Sequence, residues 1–357
     1  MNGGSVARGF VNSKLLNADL SWEKTNVFNV GFELSFLNNR LTAELDYYDR
    51  LTSGMLRPSE LSILLTGAYN PPRKNIGNMR NRGIEANFTW KDNFHTVNYA
   101  ITLNASYNKT RLEKWNEYIG RGATNAGANI FVDMPYNYVY AYEAVGIAQT
   151  WDDVYNNTPQ GAQPGDIIRK DINGDGRIDA NDMRAYSNIT RDRPSTYVNL
   201  SGYASWKGFD LAFMVQGTAG RKDFWLNAFN NTNFSNSRYA STWDHWSRPW
   251  SWDNRSGDWP RLGGSASNTQ TTEPRAGLST FWLDNMSFIR FKNVQVGYSI
   301  PKKLIGKAGI SSLRIAGTAE NLGTITSYRG LDPEKAGINN NAYPLVRSYA
   351  LSVQLGL

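Results

Sequence analysis

Along much of this chain apolar and polar residues alternate one by one, the pattern of a strand with two unlike faces. In residues 83–90, Ile84, Ala86, Phe88 and Trp90 share one side, and Glu85, Asn87 and Thr89 the other. Residues 97–108 set Val97, Tyr99, Ile101, Leu103, Ala105 and Tyr107 against Asn98, Thr102, Asn104, Ser106 and Asn108. At the C-terminus Leu345, Tyr349, Leu351, Val353, Leu355 and Leu357 oppose Ser348, Ser352 and Gln354. Six further stretches, 26–37, 41–49, 196–206, 209–218, 286–299 and 311–321, bring the predicted strands to nine, and a run at 139–149 is a weaker tenth.

The connections alternate in length. Short polar turns fall at Asn38-Asn39, at Lys91 to Phe94, at Lys207-Gly208 and around Pro301 to Gly309, and long segments fall at 50–75, 110–194, 219–280 and 323–343. Tight turns at one end and large loops at the other mark a transmembrane β-barrel of the outer-membrane kind. Phe36, Trp90, Phe94, Trp206 and Phe209 sit beside the short turns, where an aromatic girdle would meet the membrane interface. A soluble β-sandwich also alternates, but its loops do not sort by length, and structureless loops of this size are uncommon. The fold class expected is all-β, a transmembrane antiparallel barrel.

Composition narrows the choice. Mean hydropathy is −0.51 and apolar runs are short, so a membrane-spanning helix is excluded while barrel strands are not. Cysteine is absent, which removes disulfides and thiolate chemistry. The net charge of +7 is spread along the chain without a basic tail or recognition helix, so nucleic acid is not a partner. A basic lumen, or a surface facing anionic headgroups of outer-membrane lipid, accounts for it better. His95 and His245 stand far apart in sequence, and lone histidines more often occupy surface or girdle positions than catalytic ones. No Ser-His-Asp order, HExxH, P-loop or dinucleotide fingerprint occurs, and the chain is expected not to be an enzyme.

Parity adds an expectation. Nine strands whose last ends on the short-turn side place the start of the first strand outside, whereas a complete bacterial barrel has an even number with both ends inside. The chain then supplies the closing part of a larger barrel, and the missing leader follows from that.

The strings LNADLSWEKTNVFNVGFE, LNNRLTAELDYYDR, NIGNMRNRGIEANF, PGDIIRKDINGDGRIDANDM, FIRFKNVQVGYSIPK, AENLGTITSYRGLDPE and YPLVRSYALSVQLGL, in this order from about Leu15 to Leu357, resemble the C-terminal barrel of the SusC/RagA family of TonB-linked outer-membrane proteins. The resemblance implies a plugged barrel of about 22 strands, of which these nine would be the last. It also implies location in the outer membrane of a Gram-negative bacterium, and import of a bulky nutrient, a glycan oligomer or a peptide. The partners implied are a SusD-like surface lipoprotein acting as a lid and TonB, engaged through an N-terminal plug. Plug and TonB box are absent from these residues. A passive porin-like barrel and a surface lectin-like β-protein are the alternatives.

Two local features carry chemistry. Asp171, Asn173, Asp175, Arg177 (through its carbonyl), Asp179 and Asp182 fall at the spacings of a calcium loop, with Gly176 at the sharp turn. Position twelve of that loop, residue 182, is Asp where Glu is usual. Carboxylates this close repel one another unless a cation intervenes, so structural Ca2+ is expected, against the alternative of an ion-free Asx turn cluster. The second feature is the tryptophan-rich segment of the 219–280 loop, where Trp225, Trp243, Trp246, Trp250 and Trp252 are candidates for contact with cargo or lid. Packing of the loop against itself is the competing role.

Overall fold

The computed structural model describes residues 17–58, 72–115, 132–135, 138–157, 162–190, 193–224, 247–255, 258–261, 279–330, 332–334 and 345–357. In chain order the strands are β1 (Lys24–Phe36), β2 (Leu41–Pro58), β3 (Arg73–Phe94), β4 (Val97–Trp115), β5 (Tyr138–Tyr142), β6 (Ala144–Ile147), β7 (Ile167–Arg169) and β8 (Met183–Thr190). They continue with β9 (Thr196–Trp206), β10 (Phe209–Ala219), β11 (Lys222–Phe224), β12 (Leu283–Asn285), β13 (Phe288–Ser299), β14 (Ser312–Thr326) and β15 (Ser348–Gly356). Two short helices are α1 (Trp151–Asn157) and α2 (Lys302–Ile305).

Nine of these strands form one sheet in the order β1-β2-β3-β4-β9-β10-β13-β14-β15. They are the nine that alternation predicts. The pairs β4·β9, β9·β10, β10·β13, β13·β14 and β14·β15 are antiparallel, and β1 and β15 are open edges, so the barrel is not closed. No helix among the described residues is long and apolar enough to cross a membrane.

The short turns are built from residues that tolerate the left-handed region. Asn38 and Asn39 take φ of 58° and 64° in a four-residue turn that Leu37 enters at 54°, whereas Lys207-Gly208 take 47° and 91°, the positive pair that a two-residue hairpin matching strand twist requires. The turn expected at Lys91 to Phe94 lies further on and is tighter, because β3 runs through Phe94 and leaves His95-Thr96 to reverse the chain. His95 therefore lies in a turn beside Phe94, at a ring separation of 4.5 Å.

One irregularity explains a phase change in the sequence. Ile289 and Phe291 alternate on one phase and Val294, Val296 and Tyr298 on the other, because both neighbours of β13 step from Phe291 directly to Asn293 and leave Lys292 bulged. All five apolar residues thereby keep to one face.

The weaker tenth strand, 139–149, does not join the sheet. It splits into β5, which pairs with β8, and β6, which pairs with β7. The physical reason is burial on both parities: Val139, Ala141 and Ala148 are fully enclosed and Tyr142 nearly so, whereas a wall strand has one polar face.

The core lies in the long connections rather than on the sheet. One buried cluster joins Val139, Ala141, Ile167, Ile189, Phe224, Trp259 and Trp282, and a second joins Ala148, Val154 and Ala162. The chain divides into two compact units, one of Met1–Asn29, Tyr48–Arg82 and Lys109–Met134, the other of Val30–Tyr47, Gly83–Asn108 and Pro135–Leu357. In the first unit Asp49 accepts from Arg80 at 2.6 and 2.7 Å and from Arg82 at 2.9 Å, while Asn75 bonds the backbone of Ser21 and Gly54. Both buried clusters belong to the second.

Candidate functional site

The apolar face of the sheet is uncovered. Phe32, Ile84, Ile101, Leu211, Ile289, Val296 and the row Tyr349, Leu351, Val353 and Leu355 are all exposed, with Leu351 at 77%. A sheet in water loses about 25 cal/mol for each Å² of apolar surface left out, so a soluble sandwich would have packed this face against a second layer. Here the residues able to form a core have done so elsewhere, in the loops.

At the short-turn end this face carries an aromatic band. Cross-strand register places Trp206 opposite Phe209, and Phe209 opposite Tyr298. Their ring centroids lie 6.5 and 4.5 Å apart, and Lys207 Nζ sits 5.3 Å over the Trp206 ring. Phe36 and Phe94 are exposed beside their own turns. An apolar belt flanked by amphipathic rings suits a bilayer and its interface.

The opposite face is polar. Within the second unit it forms a trough of about 580 Å³ lined by Glu44, Glu85, Asn87, Asn104, Asn199 and Gln216, among others. Asn87 Nδ2 donates to Glu44 at 3.1 Å, and the hydroxyls of Thr89 and Thr102 bond at 3.0 Å. The arrangement suits a hydrated or protein-filled lumen and holds no catalytic constellation.

The long connections are anchored by ion pairs. Arg290, 2% exposed, donates to Asp332 at 2.7 Å, to Thr324 at 2.9 Å and to Glu334. Arg329 pairs with Asp284, and its guanidinium carbon lies 5.1 Å over the Trp259 ring. Burial near these carboxylates pushes the Tyr328 phenol up to about 12. Arg169 stacks 4.5 Å over Tyr142, and burial pulls its guanidinium down to about 10.

The tryptophans divide by role. Trp250 is buried, with Nε1 donating to Gln149 at 2.9 Å and its backbone N–H to Trp259 O at 2.8 Å. Trp252 is 54% exposed, meets Trp250 edge to face at 5.2 Å, and carries the Arg255 guanidinium on its ring. Trp151 and Tyr155 are a second exposed pair, on α1, which composition alone did not single out. Trp225, Trp243 and Trp246 lie outside the described residues, as does His245.

The 171–182 loop is folded around its own acids. Asp171 accepts from the N–H groups of Gly174 at 2.7 Å and Gly176 at 2.8 Å, and the second of these holds its carboxyl below the usual carboxylate range. Asn173 accepts from Asp175 N–H at 3.0 Å, and Asp175 from Arg177 N–H at 2.8 Å. Asp182, fully buried, accepts from Ile172 and Asp179 N–H, and Asp179 caps the following turn through Asn181 N–H at 2.7 Å. Gly174 and Gly176 have φ of 74° and 75°, a conformation other residues adopt at a cost. Among the described residues no three His, Asp or Glu side chains converge as a metal-holding group.

These features sit in a recognisable lineage. Residues 2–216 match the family described as TonB dependent receptor-like, beta-barrel. The TonB-dependent receptor SusC of Bacteroides thetaiotaomicron is 27% identical over 96% of this chain and 33% of its own length, and the TonB-dependent receptor P26 of Formosa agariphila is 26% identical over 95% and 35%. The solved RagAB peptide transporter superposes with a TM-score of 0.76 at 26% identity, covering 99% of this chain and 38% of that one. A RagAB peptide importer in an "open-open" state gives 0.74. The chain thus spans about a third of the length of these relatives. By the extent of the family match and the shared architecture, the chain belongs to the TonB-dependent receptor β-barrel family of the Gram-negative outer membrane.

Proposed function

We propose that the protein carrying this chain imports a bulky nutrient, a glycan oligomer or a peptide, across the outer membrane in a TonB-dependent cycle, together with a SusD-like surface lipoprotein. The observation that carries this is the sheet with an exposed apolar face and aromatic band on one side, a polar face on the other, and both buried clusters in the long connections. Such a wall needs lipid outside and a polar filling inside. Relatives of this family are receptors and transporters, and RagAB is described as a peptide importer, which brings peptides to this chain as candidate cargo.

In this proposal the segments 110–194 and 219–280 are external loops, and exposed Trp252, Trp151 and Tyr155 are their contacts to cargo or lid. The 171–182 loop braces them. Backbone N–H groups hold Asp171, Asp175 and Asp182 in the folded loop, and Ca2+, bound through oxygens such as those of Asp171 and Asp175, is the ion proposed for it.

The test is uptake by cells with and without the gene, supplied with labelled oligosaccharides and oligopeptides in parallel. Loss of uptake on deletion of either the gene or TonB is expected, with a lipoprotein co-purifying. Uptake that survives loss of TonB would mark a passive pore.

A further inference from the structure

We propose that the short-turn end of the sheet carries a binding site for anionic phospholipid, formed by Lys207, Lys302, Lys303 and Lys307 around the aromatic band. The two turns that contribute these lysines are neighbours, because β10 pairs with β13 and Ser299 N–H donates to Gly208 O at 2.8 Å. After Pro301 the chain winds into α2, where Ile305 turns inward and Leu304 stays 74% exposed between lysines. Lys302, Lys303 and Lys307 are themselves exposed, and Lys207 lies against the Trp206 ring.

Charge decides what such a patch meets. Among the described residues none of the four lysines has an ion-pair partner. The short turns themselves contain no acid, and Asp92, near the end of β3, is already held by Arg40 at 3.2 Å. Four uncompensated ammonium groups therefore lie at the rim of a face that meets the bilayer, beside Trp206, Phe209 and Leu304, which suit the depth of the headgroup boundary. Lysine stems cover apolar surface while their heads reach phosphate, and each such lysine near an anionic surface contributes roughly fivefold in affinity. A zwitterionic headgroup supplies no net charge to match. The site is continuous with the membrane-facing band and rests on the outer-membrane placement of the chain.

The test uses the full-length protein that carries this chain, folded into vesicles with equal amounts of phosphatidylglycerol and phosphatidylcholine of matched acyl chains, then released into detergent for native mass spectrometry of retained lipid. Wild type is expected to retain phosphatidylglycerol at least about fivefold over phosphatidylcholine. In the Lys207→Gln, Lys302→Gln, Lys303→Gln, Lys307→Gln variant the ratio falls toward one, with heat-modifiable migration on gels confirming that the barrel still forms. A ratio near one in wild type, or an unchanged ratio in the variant, overturns the proposal. So does a variant that keeps its lipid ratio but no longer sediments with peptidoglycan, since the patch then faces an acidic polymer. Failure of wild type to enter vesicles of either lipid would count against the membrane placement itself, a separate outcome from entry without preference.

Discussion

Arg314 of β14 reaches over Gly297 of β13 to clamp Asp210 of β10, Nε to Oδ1 at 2.9 Å and Nη2 to Oδ2 at 2.6 Å. The pair spans three strands on the polar face, and the missing side chain of Gly297 makes room for it. A Cβ at that position would stand 2.5 Å from Arg314 Nη2 and 2.5 Å from Asp210 Oδ2. Gly297→Ala is therefore expected to displace the clamp at an overpacking cost of about 1–3 kcal/mol. Combined with Asp210→Ala and Arg314→Ala, which remove the obstructing atoms, the same substitution is expected to be nearly silent. Urea unfolding of the four combinations in detergent, scored by heat-modifiable migration, checks this. Equal effects of Gly297→Ala in both backgrounds would show that the glycine answers to backbone shape rather than to the ion pair.

Arg290 presents a stronger dependence. It is 2% exposed and joins Asp332 and Glu334, more than forty residues downstream, to the outer end of β13. Arg290→Met leaves Asp332 buried without its countercharge, which costs about 3–5 kcal/mol for a broken buried pair. Arg290→Lys is not expected to restore stability, because three separate acceptors, Thr324, Asp332 and Glu334, use the fork of the guanidinium. Hydrogen exchange should report the loss in the peptides that cover 284–290 and 324–334. Unaltered protection there in the Met variant would remove Arg290 as the anchor.

The nine wall strands were visible in sequence because lipid on one side and a polar filling on the other impose a period of two over their whole membrane-facing length. The outer ends of β2, β3 and β4 were not. Lys74 to Asn81 has no apolar alternation, and its pairing rests on side-chain bonds such as Asn75 to Gly54 and Arg80 to Asp49. The 139–149 run misled for the opposite reason, since a fully enclosed loop strand also reads as apolar. At the site, the spacing of Asp171 to Asp182 marked a calcium-type loop or an ion-free turn cluster, and the structure shows its acids accepting backbone N–H bonds, which either reading accommodates. Pattern did not separate Trp250 from Trp252, two residues apart, because burial there depends on Gln149, a hundred positions upstream.

The 171–182 loop should respond to acid. The Asp171 carboxyl is held below its ordinary value by Gly176 and Gly174 N–H, so its contribution to loop order is fully present above the unfolded carboxylate value near 3.9. That contribution is lost as pH falls through the lowered folded value. Limited proteolysis by pepsin between pH 5 and 2 is expected to cut within the loop only at the acid end of that range, and Asp171→Ala is expected to open it throughout. If Ca2+ occupies the loop, millimolar calcium added at pH 7 will slow cleavage of wild type by a neutral protease, and chelator will reverse this. Cleavage indifferent to calcium and chelator would leave the loop as an ion-free turn cluster.

Trp250 and Trp252 of the 219–280 loop should separate stability from recognition. Trp250 is 5% exposed, bonds Gln149 and packs over the backbone of Gly165, where its ring lies 2.4 Å from an ideal Cβ. Trp250→Ala is expected to cost about 3–5 kcal/mol in the loop, as for other large buried aromatics. Trp252 is more than half exposed, and Arg255 lies 5.1 Å over its ring as a planar, charged neighbour. Trp252→Ala should leave thermal unfolding unchanged within about 0.5 kcal/mol. It should instead lower uptake or lipoprotein co-purification, because an exposed ring offers stacking area to a sugar or peptide at little ordering cost. Were Trp252→Ala to destabilise the loop as much as Trp250→Ala while binding stayed intact, both rings would serve only to pack the loop against itself.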